Sequence, residues 1–348
     1  MEIGDRMALK IAINGFGRIG RTFLRTIMLD ANASQKLDVI AINLGPSDSS
    51  SDHADHSAVA HLFKYDSIMK TFPGDVHSDG KTLTINNHSI KLYAERDPEK
   101  LPWKDLAIDW VVDASGKFTT REAAIRHINA GSKKILITAP ATNEDITIVP
   151  GVNDAQYNPD KHDIVSLGSC TTNCFAPIIK VLHETFTISH GLMTTTHAFT
   201  NDQVLLDIEH HDPRRARAAT MNMIPTKTGA DKVITKIYPD LLGKLKASAV
   251  RVPVPIVSLI DFTFITEKPI TREIINQAFE TYATTSLKNI LEYVTEPLVS
   301  SDFTGNAHSC IFDSLLTQSV GNLGKVFAWY DNEFGYSSRL KDFLLHNS

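Results

Sequence analysis

Cys170 stands in Ser169-Cys170-Thr171-Thr172-Asn173-Cys174, among hydroxyl and amide side chains, just before apolar residues at Phe175, Ile178, Ile179, Leu182 and Phe186. That spacing predicts a helix beginning near Thr171. A cysteine at a helix N-terminus feels the positive end of the dipole, which favours thiolate. Its neighbouring N–H groups can stabilise a developing oxyanion. A nearby imidazolium would lower the thiol further. Cys174, one turn along, is expected to pack, because two cysteines so placed on a helix have poor disulfide geometry.

A thiol nucleophile needs a base. The chain has 14 histidines. His197 stands out because it ends the β-like run GLMTTTH and precedes AFTND, where it could take a proton from a thiol. Downstream, HHDPRRARAATMNMIPTKTG clusters Arg214, Arg215 and Arg217 and leads to Thr228-Gly229. Guanidinium forks, hydroxyls and a backbone amide suit oxyanions, and Arg251 in VRVP is another candidate. A solvated or subunit-contact face is the plainer reading for one or two of these arginines, and it stays open.

A second chemical signal lies near the start. Asn14-Gly15-Phe16-Gly17-Arg18-Ile19-Gly20 matches G-x-G-x-x-G between a strand-like run and a helical spacing. Gly15 permits the tight turn, Gly17 the approach of a pyrophosphate, and Gly20 close helix packing. The following helix offers N–H groups and dipole to phosphates. The usual companion acid at the end of the second strand is absent: that strand ends Asn43-Leu44-Gly45. Leu44 gives no acceptor to an adenine ribose and no charge to repel a 2′-phosphate. Ser47, Ser49, Ser50 and nearby backbone could accommodate such a phosphate, with no arginine in that loop to demand one.

The elements that must position these groups divide the chain. Strands are expected at Leu9–Asn14, Leu37–Asn43, Trp110–Ser115, Lys134–Pro140 and Ile146–Asn153. TTREAAIRHINAG reads as a helix stopped by Gly131. This alternation predicts a parallel α/β sheet. After Cys170, HGLMTTTHAF, ASAVRVPVPIVSLIDFTFITE and KVFAWYDN are β-branched and long, as in a mixed or antiparallel sheet, with TREIINQAFETYA as one helix. EFGYSSRLKDFLLHNS is helical again.

With 348 residues, 35 basic and 40 acidic, the net charge is −5. That argues against a general affinity for nucleic acid or anionic membranes and leaves room for a local basic pocket. Three cysteines (Cys170, Cys174, Cys310) are no disulfide framework and fit a reducing compartment. No apolar run approaches a membrane span, and MEIGDRMALK lacks an apolar signal core. The cytoplasm is the expected location, and the first eight residues read as a tail. Pro46–Ser57 reads as an exposed loop whose His/Asp content gives only a weak case for metal; no metal site is assigned.

Seven segments occur in the order found in phosphorylating glyceraldehyde-3-phosphate dehydrogenases: AINGFGRIGR, SCTTNC, HAFTNDQ, RRARAA, NMIPTKTGA, VRVP and WYDNEFGYS. The chain closely resembles that family over about residues 9–346. The resemblance implies an α/β Rossmann dinucleotide-binding domain, 1–169 and 332–348. It also implies an α+β catalytic domain with a mixed, largely antiparallel sheet, 170–331. It makes Cys170 the nucleophile and His197 the base. One phosphate site would use Thr200 and Arg251, with Asp202 orienting the arginine; the other would use Ser169, Thr171, Thr228, Gly229 and Arg215. Cofactor contacts would come from Gly15, Gly17, Arg18, Ile19, Gly20, Arg96, Ser115, Thr138, Asn332 and Tyr336. The implied reaction converts glyceraldehyde 3-phosphate and inorganic phosphate to 1,3-bisphosphoglycerate with reduction of NAD, in a homotetramer.

Departures accompany the likeness. Leu167-Gly168 stand where the family often has Asn-Ala, which should alter packing and not chemistry. Glu209 stands where many NAD-specific members have proline. Leu44 and the longer Pro46–Ser57 segment leave NADP use open, while a Glu209 charge would disfavour a nearby 2′-phosphate. Rival readings are erythrose-4-phosphate dehydrogenase, a thiol hydrolase or acyltransferase without redox chemistry, and a noncatalytic dinucleotide- or RNA-binding protein. Thr200, Arg215, Thr228 and Gly229 argue against the first. The glycine turn and DNEFGY argue against the second, and the complete catalytic set argues against the third.

Overall fold

Leu9–Asn14 forms the expected first strand (β1), and Arg18–Met28 (α1) follows the glycine turn. The computed structural model describes residues 8–46 and 57–348, so Ser47, Ser49, Ser50 and most of the Pro46–Ser57 segment lie outside the described residues. The chain divides into two units, one of residues 1–148, 155–167 and 337–348, the other of 149–154 and 168–336.

In the first unit, short helices Ala31–Lys36 (α2) and Ser57–Lys64 (α3) flank β2 (Leu37–Asn43). There follow β3 (Val76–Ser78), β4 (Thr82–Ile85), β5 (His88–Tyr93), β6 (Trp110–Asp113), α4 (Arg121–Asn129), β7 (Lys134–Ile137), β8 (Ile146–Thr147) and β9 (Ile164–Ser166). They form one sheet in the order β3-β4-β5-β2-β1-β6-β7-β9-β8. Its centre is parallel, which buries both faces and explains the continuous apolar runs of β1 and β6. The β3–β4–β5 edge is antiparallel and was not expected from sequence. Thr120 caps α4, and Gly131 at φ +104° ends its turn. The expected strand Ile146–Asn153 stops at Thr147; Pro150 lacks a ladder donor and Gly151 has φ +85°.

The second unit holds α5 (Cys170–Phe186), β10 (Ile188–Ala198), β11 (Ile224–Thr226), α6 (Ala230–Ile237), β12 (Leu245–Val252), β13 (Ser258–Thr266) and α7 (Arg272–Thr284). It continues through β14 (Leu291–Val294), β15 (Cys310–Asp313), β16 (Gln318–Val320) and β17 (Leu323–Tyr330). Its sheet runs β11-β12-β10-β13-β17-β15-β14, with β16 beside β17. Pairings are mostly antiparallel, with β10–β12 and β14–β15 parallel. Helix α6 adds a third helix to the two expected in this half; at eight residues it is too short to show a clear apolar period. The last helix, α8 (Phe334–His346), begins in this unit, and its residues from Ser337 belong to the first. There Lys341 Nζ donates to Asp30 Oδ2 at 2.6 Å.

Alternation along β10 aims Met193, Thr195 and His197 toward the core and Leu192 away from it. The core-facing side packs on α5, where Phe175 meets Phe262 edge to face at 5.0 Å. This packing fixes α5 against β10. Among the described residues no helix is long and apolar enough to cross a membrane, and no group of three or more His, Cys, Asp or Glu is placed to hold a metal ion.

Candidate active site

Ser169 has extended backbone, and its Oγ accepts the Thr172 N–H at 3.1 Å, so it is the N-cap of α5. The cap puts Cys170 at the first helical position, part-exposed. Cys170 Sγ lies 3.5 Å from His197 Nε2. The two side chains thought to react are therefore in contact, one from a helix start and one from a strand end.

The surroundings of the pair weigh against the thiolate–imidazolium form expected from sequence. Burial pushes the Cys170 thiol up from its ordinary value; Arg251 and the amide and hydroxyl of Thr171 pull the other way without reversing it. Burial and the Arg251 charge push the His197 imidazole down to about 3. A neutral thiol thus faces a neutral imidazole. Desolvation disfavours both charges, and Arg251 adds like-charge repulsion against an imidazolium.

The other side of the ring decides which nitrogen is free. His197 Nδ1 is 2.6 Å from Ala198 O and 2.9 Å from Arg251 Nη1. Arg251 Nη1 also donates to Ala198 O at 2.9 Å. A hydrogen on Nδ1 lets both groups donate to one carbonyl, which has two lone pairs. Nε2 then keeps its lone pair toward Sγ and can accept the thiol proton.

Arg251 sits beside Thr200, whose Oγ1 is 3.4 Å from Nη1. Its Nε is buried without a partner, as befits a donor awaiting an anion. Asp202 does not orient Arg251 as expected. It pairs with Arg215, whose Nε also donates to Thr226 Oγ1 at 2.9 Å. Thr228 Oγ1 accepts the Ala230 N–H at 3.3 Å. Gly229 caps α6 with open space where a side chain would be. Arg217 pairs with Asp207 on the surface, and Arg214 is exposed, in keeping with the plainer reading for those two.

Thr171 takes a different place from the one expected. It is buried, and its hydroxyl lies 2.9 Å from Tyr330 OH. Both this hydroxyl and the Thr171 N–H also bear on the Cys170 sulfur. The Tyr330 phenol also reaches Thr195 Oγ1 at 2.8 Å, and its ring meets the His197 ring edge to face at 5.9 Å. Tyr330 was missed. Its only signal was a phenol ending an otherwise apolar strand. Cys174 is fully buried with Sγ 3.9 Å from Trp329 O, a packing position, and burial pushes its thiol well up.

In the first unit the glycine turn suits a dinucleotide phosphate. Gly15 has φ +90°, and a Cβ there would lie 2.6 Å from the Ser115 backbone. A Cβ on Gly20 would lie 2.3 Å from Gly15 O. Gly17 is the α1 N-cap, with no side-chain cap and nothing within 4 Å of an added Cβ. No acid stands in the first turn. The residues present therefore fit an anionic group on the helix start. Arg18 pairs with Asp66, Ile19 is part-buried, and Arg96 is exposed. Ser115 Oγ donates to Asp113 Oδ1 at 2.8 Å, and the Thr138 N–H donates to Asp113 O at 3.0 Å. Leu44 is part-buried and its N–H donates to Tyr93 O, so the strand end offers only an aliphatic side chain. In the second unit, Asn332 and Tyr336 are buried, and Tyr336 OH donates to Gly168 O at 2.9 Å, bracing the loop before Ser169.

Comparison with known proteins matches this geometry. A family model described as the NAD binding domain of glyceraldehyde 3-phosphate dehydrogenase matches residues 9–121. The corresponding C-terminal domain matches residues 169–332. The chain is 48% identical over 337 residues to glyceraldehyde-3-phosphate dehydrogenase of Geobacillus stearothermophilus, covering 97% of each chain. It is 47% identical to that of Priestia megaterium (strain DSM 319 / IMG 1521), again over 97% of each. It is 48% identical to glyceraldehyde-3-phosphate dehydrogenase 2 of Trichormus variabilis (strain ATCC 29413 / PCC 7937), over 96% of this chain and 97% of that one.

Proposed function

The chain belongs to the glyceraldehyde-3-phosphate dehydrogenase family, and we infer from that membership and its thiol site that it oxidises glyceraldehyde 3-phosphate to 1,3-bisphosphoglycerate. NAD is the oxidant and inorganic phosphate the second substrate. The contact carrying this reading is Cys170 Sγ to His197 Nε2 at 3.5 Å, with Arg251 and Thr200 at the same strand end. Erythrose 4-phosphate is not favoured as substrate, since the relatives above all carry the glyceraldehyde-3-phosphate name.

Cys170 is the nucleophile and His197 the base. As Sγ attacks the aldehyde carbon, Nε2 takes the thiol proton, so no resting ion pair is required. The hemithioacetal oxygen gains charge near the start of α5, where N–H groups lower the energy of that state. What NAD supplies when bound is an acceptor for the hydride leaving the substrate carbon. His197 Nε2 passes the thiol's proton to the hemithioacetal oxygen and takes it back as the hydride leaves and the thioester forms on Sγ. Phosphate oxygen then attacks that carbonyl, the C–S bond breaks, and the acyl phosphate departs from a thiol restored by a proton from His197.

Two anion sites are needed, one for the C3 phosphate and one for the attacking phosphate. We assign the first to Arg251 and Thr200. The second is assigned to Ser169, the Thr171 N–H, Thr228, Gly229 and Arg215, with Asp202 holding Arg215. In the first unit, Gly15, Gly17, Arg18, Ile19, Gly20, Arg96, Ser115 and Thr138 are assigned to the cofactor; in the second, Asn332 and Tyr336 are. The first unit is thus the dinucleotide-binding domain and the second the catalytic one.

The working form is a homotetramer in the cytoplasm. Exposed Leu205, Leu206, Ile208, Met221 and Met223 support association, because a free surface rarely carries so much apolar area in one segment. The deciding experiment measures NAD and NADP reduction with glyceraldehyde 3-phosphate, with and without inorganic phosphate. Sustained turnover only with phosphate is expected. Phosphate-independent turnover at the same rate would overturn the reading.

A further inference from the structure

Asn332 is assigned to the cofactor, yet an amide can present either end. Its neighbour in the second unit settles the direction. The Ala198 N–H donates to Ser258 Oγ at 3.1 Å. Ser258 Oγ in turn lies 3.2 Å from Asn332 Oδ1. Ser258 is 1% exposed and Asn332 5%, so a misplaced donor in this pair would be costly. The Ala198 amide uses a lone pair of Oγ, and the Ser258 hydrogen needs an acceptor. Asn332 Oδ1 is an acceptor and Nδ2 is not. With Oδ1 held inward, the Nδ2 hydrogens must face away, and Nδ2 donates to no group among the described residues.

We propose that Ser258 is a positioning residue that fixes the Asn332 amide so that its N–H end reads a carbonyl on the cofactor ring. The proposal rests on the dehydrogenase reading, since the ring must approach the carbon held on Cys170. The ring carboxamide of NAD carries such a carbonyl. Ser258 begins β13 and pairs with Tyr330, the last residue of β17, and Asn332 follows two residues later in the turn that leaves that strand. Specificity for the carboxamide would thus come from a residue that never touches the cofactor.

The test is a coupling measurement by titration calorimetry. Dissociation constants are compared for NAD and for a dinucleotide whose pyridinium ring carries hydrogen in place of the carboxamide. In the unaltered protein, loss of the carboxamide is expected to weaken binding about tenfold. In Ser258→Ala the same loss should cost no more than about twofold, because the amide can turn. Ser258→Thr should restore the larger penalty, which a merely space-filling role would not. Ser258→Cys keeps the buried volume with a weak donor and should behave like the alanine variant, which covers the case of a poorly folded Ser258→Ala. An undiminished penalty in the alanine and cysteine variants, together with its loss in Asn332→Ala, would overturn the proposal and leave the cofactor role of Asn332 standing. An undiminished penalty in Asn332→Ala would remove that role itself, and the proposal with it.

Discussion

His197 and Arg251 are direct cross-strand partners on the parallel strands β10 and β12, and both address one carbonyl, that of Ala198. The register sets the chemistry. Burial, and after it the guanidinium beside the ring, keeps the imidazole neutral, and the shared carbonyl holds its hydrogen on Nδ1. The base is poised by a positive neighbour rather than by a carboxylate.

Replacing either reacting side chain separates their roles. Cys170→Ser should abolish acyl-enzyme formation, since a hydroxyl beside a neutral imidazole is a far weaker nucleophile. His197→Asn should slow hydride transfer by roughly 10²- to 10⁴-fold. Cofactor affinity should change little, as neither residue belongs to the proposed cofactor set. Single-turnover absorbance and calorimetric titration of NAD check the two halves; normal turnover in Cys170→Ser would refute the assignment.

The depressed imidazole also has a consequence for stability. Its folded value of about 3 lies below the ordinary value of 6.5, chiefly through burial and then Arg251. The unfolded chain therefore binds a proton that the folded chain refuses. The contribution of the neutral ring is fully present above about pH 6.5 and is lost as pH falls toward about 3. Urea unfolding of the unaltered protein should weaken between pH 6.5 and 4 more steeply than that of His197→Asn. Parallel slopes would show that the ring is not held neutral.

Arginine at position 251 does two things that lysine cannot do together. Nη1 addresses Ala198 O and the edge of Thr200, while the buried Nε stays unpartnered. Arg251→Ala should raise the KM for glyceraldehyde 3-phosphate by roughly 10- to 100-fold, the worth of a charged hydrogen bond. Arg251→Lys should recover only part of that, because an ammonium lacks the fork. Initial-rate kinetics decide, and an unchanged KM in Arg251→Ala would exclude a phosphate role.

What could be read from the sequence was local. Cys170 announced itself because its N-cap and the first turn of α5 are neighbours along the chain. The glycine turn did so because each glycine answers a steric demand within a few residues. The hidden parts are long-range. Tyr330 meets Thr171 and Thr195 across 159 and 135 residues, and only the folded sheet brings them together. Ser258 and the Ala198 carbonyl carry no motif. Asp202 pairs with Arg215 and not Arg251, because proximity along HAFTNDQ says nothing about which guanidinium the loop reaches. At Cys170 the helix dipole that favours thiolate is visible in the sequence, whereas the burial that opposes it is not.

Gly15 and Gly17 lie two residues apart in the same turn, yet they should fail in different ways. Gly15 has φ +90°, and an added Cβ would lie 2.6 Å from the Ser115 backbone. Gly15→Ala therefore forces the turn or the end of β6 to shift, at a cost of roughly 1–3 kcal/mol or more. Gly17 has a negative φ of −74° and open space around an added Cβ. Gly17→Ala should leave the melting temperature nearly unchanged. Its methyl would nonetheless stand on the bare N-terminus of α1, where the phosphates are expected to approach the backbone. Affinity for NAD should fall about tenfold or more, on the scale of a charged hydrogen bond lost to misplacement. Thermal melting paired with NAD titration distinguishes them: a stability defect for Gly15→Ala, a binding defect for Gly17→Ala. If Gly17→Ala binds NAD as tightly as the unaltered protein, the phosphates do not rest on this helix.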